Sequence, residues 1–401
     1  MRVLLLSAYD ALSHRYWREG MVENFPDVDW TVLSLPPRYF NFRVRTNPIS
    51  WLLEQRVALE QDYDLLIATS LVDVVTVRGL FANLAQVPLW LYCHENQFAY
   101  PSSTQTANNK RALLEPQMVF LYGCLCADAI SFNSDWNRST ALAGMRQLVA
   151  RFPEKWNSAL ITTIANKADV LPVPLQLQVS QPLSALLLDS DRQLSDEGTH
   201  NNVPLAAWGA DRPCQLVWNH RWEYDKGPEY LLALIVALKV SGLHCTIHVV
   251  GQQFRQLPDS FEQIKQLLTV DEPASNRLCL GQWGFVESRT EYVNLLKSCD
   301  VVISTALHDF QGIAVLEAVQ QGCLPLLPNQ LVYPEQFAAT YLYDWHPAPA
   351  INADAMVAKL GQWRRPQARP HCPALDHYAW SQLQARYDLK MTVLATNEPA
   401  A

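Results

Sequence analysis

Among the nine cysteines of this 401-residue chain, at positions 93, 124, 126, 214, 245, 279, 299, 323 and 372, no two form a C-x-x-C pair. Most sit inside apolar runs, which argues for reduced, buried thiols in a cytosolic setting and against a disulfide framework or a paired-cysteine zinc site. Cys124 and Cys126 read as core residues of a helix rather than as a redox pair. No apolar stretch is long enough to span a bilayer. The opening run, residues 3–9, lacks a small-residue cleavage site and fits a first β-strand better than a signal peptide. A basic excess is missing too: 31 Lys+Arg stand against 39 Asp+Glu, and the net charge of -8 argues against a simple nucleic-acid binder. Neither a Walker A sequence nor G-x-G-x-x-G follows any strand-like run, which weakens P-loop NTPase and dinucleotide dehydrogenase readings.

What is present is a hydrophobic content of 49% and a length that favours two domains over one. The charge is unevenly divided. Residues 1–180 carry 15 Lys+Arg against 16 Asp+Glu, so nearly all the acidic excess lies beyond them. The first half also keeps a basic stretch, "PPRYFNFRVRTNP", in which Arg38, Arg43 and Arg45 interleave with Tyr39, Phe40 and Phe42. Alternating cations and aromatics can serve phosphates and stacked bases. A strand with a solvated basic edge accounts for the same residues equally well.

Apolar runs without alternation at 3–9, 29–35, 63–70, 88–96 and 127–134 are separated by helix-length segments, the pattern of a parallel sheet covered on both faces. A second series follows at 214–220, 244–251, 277–284, 300–305 and 323–328. The expected class is α/β, with two Rossmann-like parallel-sheet domains. The boundaries are 1–178 for the first domain, 179–213 for a linker or mobile insertion rich in Ser, Asp, Asn and Pro, and 214–378 for the second domain. Residues 379–401 form a final helix and tail, the helix at 380–395 packing back across the domains.

Ligands of such sheets sit outside the carboxyl ends of the strands. There, "HDFQGIAVLEAVQQG" at 308–322 sets Asp309 in a loop, Gly312 at a helix mouth and Glu317 inside the helix. Glycine lets the backbone approach a ligand, free N–H groups favour an anion, and the two carboxylates can reach hydroxyls at different depths. "VWNHRWEYDKGPE" places Arg221 and Lys226 after the first strand of the second domain. Two fixed cations and a helix N-terminus would stabilise a nucleoside diphosphate leaving group without a metal. Taken singly, each of these residues is ordinarily solvated surface.

Arg-x4-Lys after that strand, with acid-x7-Glu opening a later helix, resembles the retaining glycosyltransferases of family 4, which have the GT-B fold. Longer elements, "CHENQFAYP" at 93–101, Ser13 and His14, "FRVR" at 42–45, "FNS" at 132–134 and "WNHRWEYDKGPE", resemble the tRNA-queuosine α-mannosyltransferases. The resemblance implies two domains facing a cleft, GDP-mannose as donor, no cofactor, and the cyclopentene diol of queuosine in a tRNA anticodon as acceptor. It implies that Arg221 and Lys226 hold the donor diphosphate, and that Asp309, Phe310, Gln311, Gly312 and Ile313 hold the sugar. Glu317 holds the ribose, and His94 touches the transferred sugar beside the catalytic Arg221, Lys226 and Asp309. Asp309 stands where the family carries the longer Glu. Acceptor contacts implied are Ser13, His14, Arg43, Arg45, His94, Glu95, Asn96, Gln97, Asn133 and Ser134.

From the residues alone, Asn96 and Gln97 could instead form an Asx-type turn, His94 could be a satisfied structural histidine, and Ser13 and Ser134 could be helix caps. No opposite-face nucleophile is evident, so same-face attack is favoured, with the departing phosphate taking the acceptor's proton and the domains closing over the cleft. Other readings are a family 4 enzyme with a lipid, polysaccharide or small-molecule acceptor, a GT-B epimerase or hydrolase, and a non-catalytic tRNA or nucleotide-sugar binder. A membrane partner is not expected, and the oligomeric state is not indicated. Arg38, Arg43, Arg45, Lys110, Arg111 and Arg138 are the candidate cations for tRNA.

Overall fold

The computed structural model describes residues 1–99, 110–153, 159–176, 212–254, 256–269 and 277–396, without the side chains of 110–113. All of the expected linker 179–213 except its last two residues, the end of the 93–101 motif, and the side chains of Lys110 and Arg111 lie outside them.

The first sheet comprises β1 (Arg2–Ser7), β2 (Asp29–Ser34), β3 (Leu65–Thr69), β4 (Leu89–Cys93), β5 (Ala129–Phe132) and β6 (Ala168–Val170). Its order is β2-β1-β3-β4-β5-β6, parallel throughout. Every residue of β3 and β4 is buried, as continuous apolar strands covered on both faces must be. The second sheet comprises β7 (Cys214–Trp218), β8 (Cys245–Val250), β9 (Leu278–Gly284), β10 (Val301–Ile303), β11 (Leu324–Pro328) and β12 (Leu342–Tyr343). Its order is β12-β11-β10-β7-β8-β9, again parallel. Two Rossmann-like domains of α/β class are thus present, as the spacing of apolar runs predicts.

The basic stretch is not a strand edge. It enters the helix Phe40–Glu54, which buries Val44, Asn47, Pro48 and Trp51 along one face. This 3.6-residue period runs over more turns than the short cation and aromatic alternation and decides the conformation. Pro48 lacks the N–H that would bond Val44 O, and Asn47 compensates: its Nδ2 donates to Arg43 O at 2.9 Å and to Val44 O at 3.0 Å.

The last helix, Trp380–Thr396, returns to the first domain. Its Trp380, Leu383, Tyr387 and Met391 complete a core with Val3, Leu5, Trp17, Leu65, Ile67, Trp90 and Tyr92 beneath the first sheet. The carboxyl ends of both sheets meet across the domain junction. There the Gln311 side chain accepts from Val173 N at 2.9 Å and donates to Val173 O at 2.8 Å. Glu335 accepts from the backbone N–H groups of Asp135 and Trp136.

Candidate active site

The loop leaving β7 carries Asn219, His220, Arg221 and Trp222 before a tight turn at Tyr224–Lys226 and the helix Pro228–Ser241. Two glycines let this loop approach its neighbours. A Cβ on Gly227, whose φ is +64, would fall 2.1 Å from Thr305 O, and one on Gly251 would fall 1.8 Å from His220 O. Arg221 lies at the cleft with Nη1 2.6 Å from Glu223 and Nη2 3.6 Å from the fully buried Asp225. Lys226 is buried; its ammonium donates to His308 O at 2.6 Å and sits 3.4 Å from Asp225 and 3.8 Å from Asp309. The two expected cations therefore converge on one carboxylate-lined point after β7 and β10.

Asp309 is held from within the protein. Its Oδ1 accepts from Gly312 N at 3.0 Å and its Oδ2 from Tyr333 Oη at 3.0 Å. Burial opposes its ionisation, but Lys226, the imidazoles of His220 and His308 and the Tyr333 hydrogen bond outweigh it and keep the carboxyl below its ordinary value. The one-methylene-shorter side chain thus braces the helix mouth at Gly312, whose φ is +67. Behind it, Glu317 in the helix Ile313–Gln320 pairs with Arg289 at 2.6 Å, and burial still raises the Glu317 carboxyl against that cation. Phe310 is buried edge-on to His308 at 4.4 Å. Ile313 packs against the cores of both domains.

On the opposite wall, His94 follows β4 and His14 lies in the helix Leu12–Asn24, with ring centroids 4.3 Å apart. His94 also meets Trp17 at 5.0 Å and Tyr92 at 4.8 Å. Both imidazoles are buried, and none of their four ring nitrogens has a hydrogen-bond partner among the described residues. Burial pushes His14 down to about 4, helped by Arg221 across the junction, and drives His94 well below its ordinary value, helped by His14. Two neutral imidazoles with four unsatisfied nitrogens are costly unless something polar meets them. Glu95 is half-buried; burial raises its carboxyl, while Arg221 and a 3.5 Å contact from Gln97 Nε2 oppose that shift.

Several expected contact residues spend their polar groups inside the protein. Asn96 Nδ2 donates to Asn137 and Thr140, and its Oδ1 accepts from Phe98 N and Ala99 N, which is the Asx-type turn. Asn133 donates to His94 O at 2.9 Å and so fixes the histidine loop. Ser134 caps the helix Asp135–Val149 through Asn137 N, whereas Ser13 is exposed one residue inside its helix and caps nothing. Arg45 pairs with Asp73 at 2.5 Å and Glu115 at 3.2 Å, and Arg43 lies 3.4 Å from Ser50 Oγ. The Gln311 amide is committed to Val173.

The structure adds partners that no local pattern announces: Tyr9, whose hydroxyl is raised by burial and by the Glu95 and Glu223 carboxylates, and His220, pushed by burial down to about 4. Arg289 and Asp225 join them. His308 stands inside the quoted 308–322 motif, and its adjacency to Asp309 was the available signal. A cation pair facing neutral imidazoles across a domain junction can hold a polyanion on one wall and hydroxyls on the other.

Among solved structures, a trehalose-6-phosphate synthase superposes with a TM-score of 0.64 at 13% identity, covering 100% of both chains. The sucrose-phosphate synthase from Thermosynechococcus elongatus does so with a TM-score of 0.60 at 15% identity, covering 99% of this chain and 100% of the other. At such identities the likeness is one of fold, and that fold is GT-B. A tRNA-queuosine alpha-mannosyltransferase of Drosophila melanogaster is 28% identical over 359 residues, 89% of this chain and 85% of the relative. The family described as tRNA-queuosine alpha-mannosyltransferase N-terminal matches residues 2–175. Residues 2–175, the first domain, are thus similar to the N-terminal domain of the tRNA-queuosine alpha-mannosyltransferases.

Proposed function

We propose that this protein is a retaining glycosyltransferase that moves mannose from GDP-mannose to the cyclopentene diol of queuosine in a tRNA anticodon. The observation that carries the reading is the buried pair His14 and His94, whose four ring nitrogens have no hydrogen-bond partner among the described residues, set across the junction from Arg221 and Lys226. Arg221 and Lys226 take the diphosphate, the Gly312 helix mouth and the backbone N–H groups around it take the sugar, and Glu317 with Arg289 takes the ribose. His94 and His14, neutral near pH 7, are free to accept or donate hydrogen bonds to hydroxyls of sugar and acceptor. Asp309 acts by fixing Lys226 and the helix mouth. With no carboxylate assigned to the opposite face, attack comes from the side of the leaving group, and the departing β-phosphate takes the acceptor's proton. Charge on that phosphate is met by the two cations rather than by a metal. A cytoplasmic setting follows from the acceptor.

The test incubates the purified protein with radiolabelled GDP-mannose and queuosine-containing tRNA, beside the same tRNA lacking queuosine. Label only in the first is the expected result; label in neither sinks the acceptor assignment. Tight donor binding without transfer would favour a second reading, a nucleotide-sugar binder, for which the internal engagement of Asp309 is the motivating observation.

A further inference from the structure

Residues 30–53 hold three arginines and no acidic residue, in a chain whose net charge is -8. At the centre of this stretch the chain turns from β2 into the helix Phe40–Glu54, and Tyr39 makes the turn with φ 58, a left-handed conformation unfavourable for a side chain of this size. The turn holds its ring 71% exposed, and Phe42 is 73% exposed beside it. Arg38 lies over the Tyr39 ring at 5.9 Å. Arg45 is already paired, whereas Arg43 is half-buried on the same helix with its Nη1 3.4 Å from Ser50 Oγ. Phe40 packs edge-on against Tyr9 at 5.7 Å, and the Tyr9 hydroxyl is close enough to Glu95 and Arg221 to feel both charges. The turn therefore stands on the same sheet edge as the cleft.

Two large exposed rings beside a strained turn, flanked in sequence by Arg38 and Arg43, match the chemistry of unpaired nucleobases on a phosphate chain: every base offers a π-face, and the phosphates offer the charge. We propose that residues 38–43 form the platform on which the single-stranded loop of an RNA acceptor docks, Tyr39 and Phe42 stacking on bases while Arg38 and Arg43 meet phosphates. This rests on the reading of tRNA as acceptor. Ile49 and Leu53 continue an exposed apolar line along the same helix, so a second copy of the chain or a membrane surface is the competing occupant. The acid-free run of arginines, in a protein otherwise repelling polyanions, favours RNA.

The experiment measures the affinity of the full chain for queuosine-containing tRNA against salt concentration, for wild type, Phe42→Ala, the pair Tyr39→Ala with Phe42→Ala, and Arg38→Ala. Phe42→Ala leaves the left-handed turn untouched and guards against a folding artefact. The expected result is a loss of about tenfold in tRNA affinity per ring removed. For Arg38→Ala the slope of log K against log salt should become shallower by about 0.7. GDP affinity should stay at the wild-type value throughout. Unchanged tRNA affinity in the ring variants overturns the platform, as does a change in oligomeric state or in adsorption to anionic vesicles in its place. A wild type that binds tRNA through these rings yet transfers no sugar would leave the platform standing and remove the proposed reaction instead.

Discussion

Arg221 and Lys226 share a role in the proposed chemistry but differ in what their loss does to the fold. Arg221 keeps a side chain 39% exposed, so Arg221→Ala should retain the native melting temperature. Transfer should fall by roughly 10²–10³-fold, the usual cost of removing a preorganised charge from a transition state. Lys226 is buried against Asp225 and Asp309, and Lys226→Ala leaves those carboxylates uncompensated, at a cost of about 3–5 kcal/mol. Melting curves beside transfer assays separate the two; equal stability of both variants would contradict the burial argument. The histidines give a pH signature of definite sign. His14, His220 and His308 are each lowered from 6.5 to about 4, chiefly by burial. Between those values the unfolded chain binds protons that the folded chain refuses, so stability is complete above about pH 6.5 and is lost as pH falls toward 4. Each histidine contributes up to about 1.4 kcal/mol per pH unit in that window. Urea midpoints should drop steeply from about pH 6 downward, and a flat profile to about pH 5 would show the imidazoles are not held neutral.

The loop after β7 depends on glycine at two contacts more than on any side chain of its own. Gly251→Ala would drive a methyl group into His220 O, and the loop carrying Arg221 would have to move. The expected outcome is a loss of stability of roughly 1–3 kcal/mol and a raised KM for the donor with the acceptor KM little changed. Calorimetry and steady-state kinetics check it. Neither glycine announced this in the sequence, because the oxygen each meets comes from a distant segment. The same reason explains what was legible elsewhere. Central strands such as "LLIAT" and "LWLYC" declare themselves by continuous apolar composition, whereas β6 and β12, three and two residues long, are defined by their neighbours. The helix Phe40–Glu54 was obscured by Pro48, whose missing hydrogen bond is made good by the adjacent Asn47. Arg221, Lys226, His94 and His14 could be found because each follows a strand end closely. Arg289 could not, since its pairing with Glu317 joins two helices 28 positions apart.

The chain crosses between its domains at two places that run side by side: Leu175 N donates to Tyr378 O at 2.7 Å, and Leu175 pairs with Ala379 in an isolated bridge. Beyond this paired crossing at Leu175 the last helix is delivered to the first domain. That helix bears on the site. The Tyr387 hydroxyl accepts from Trp17 Nε1 at 3.1 Å and lies 2.9 Å from Pro172 O and 3.0 Å from the Tyr92 hydroxyl. Trp17 and Tyr92 are two of the rings around His94. Tyr387→Phe leaves Trp17 Nε1 buried without its acceptor, a cost of about 1–3 kcal/mol. Because the loosened rings wall His94 but not the diphosphate cations, sugar transfer should weaken while GDP affinity holds. Thermal denaturation, GDP titration and transfer rates on the same variant test this together. A variant destabilised with GDP binding intact and transfer reduced would show that the C-terminal helix, remote in sequence, sets the histidine wall. Intact transfer despite the lower melting temperature would confine Tyr387 to the core.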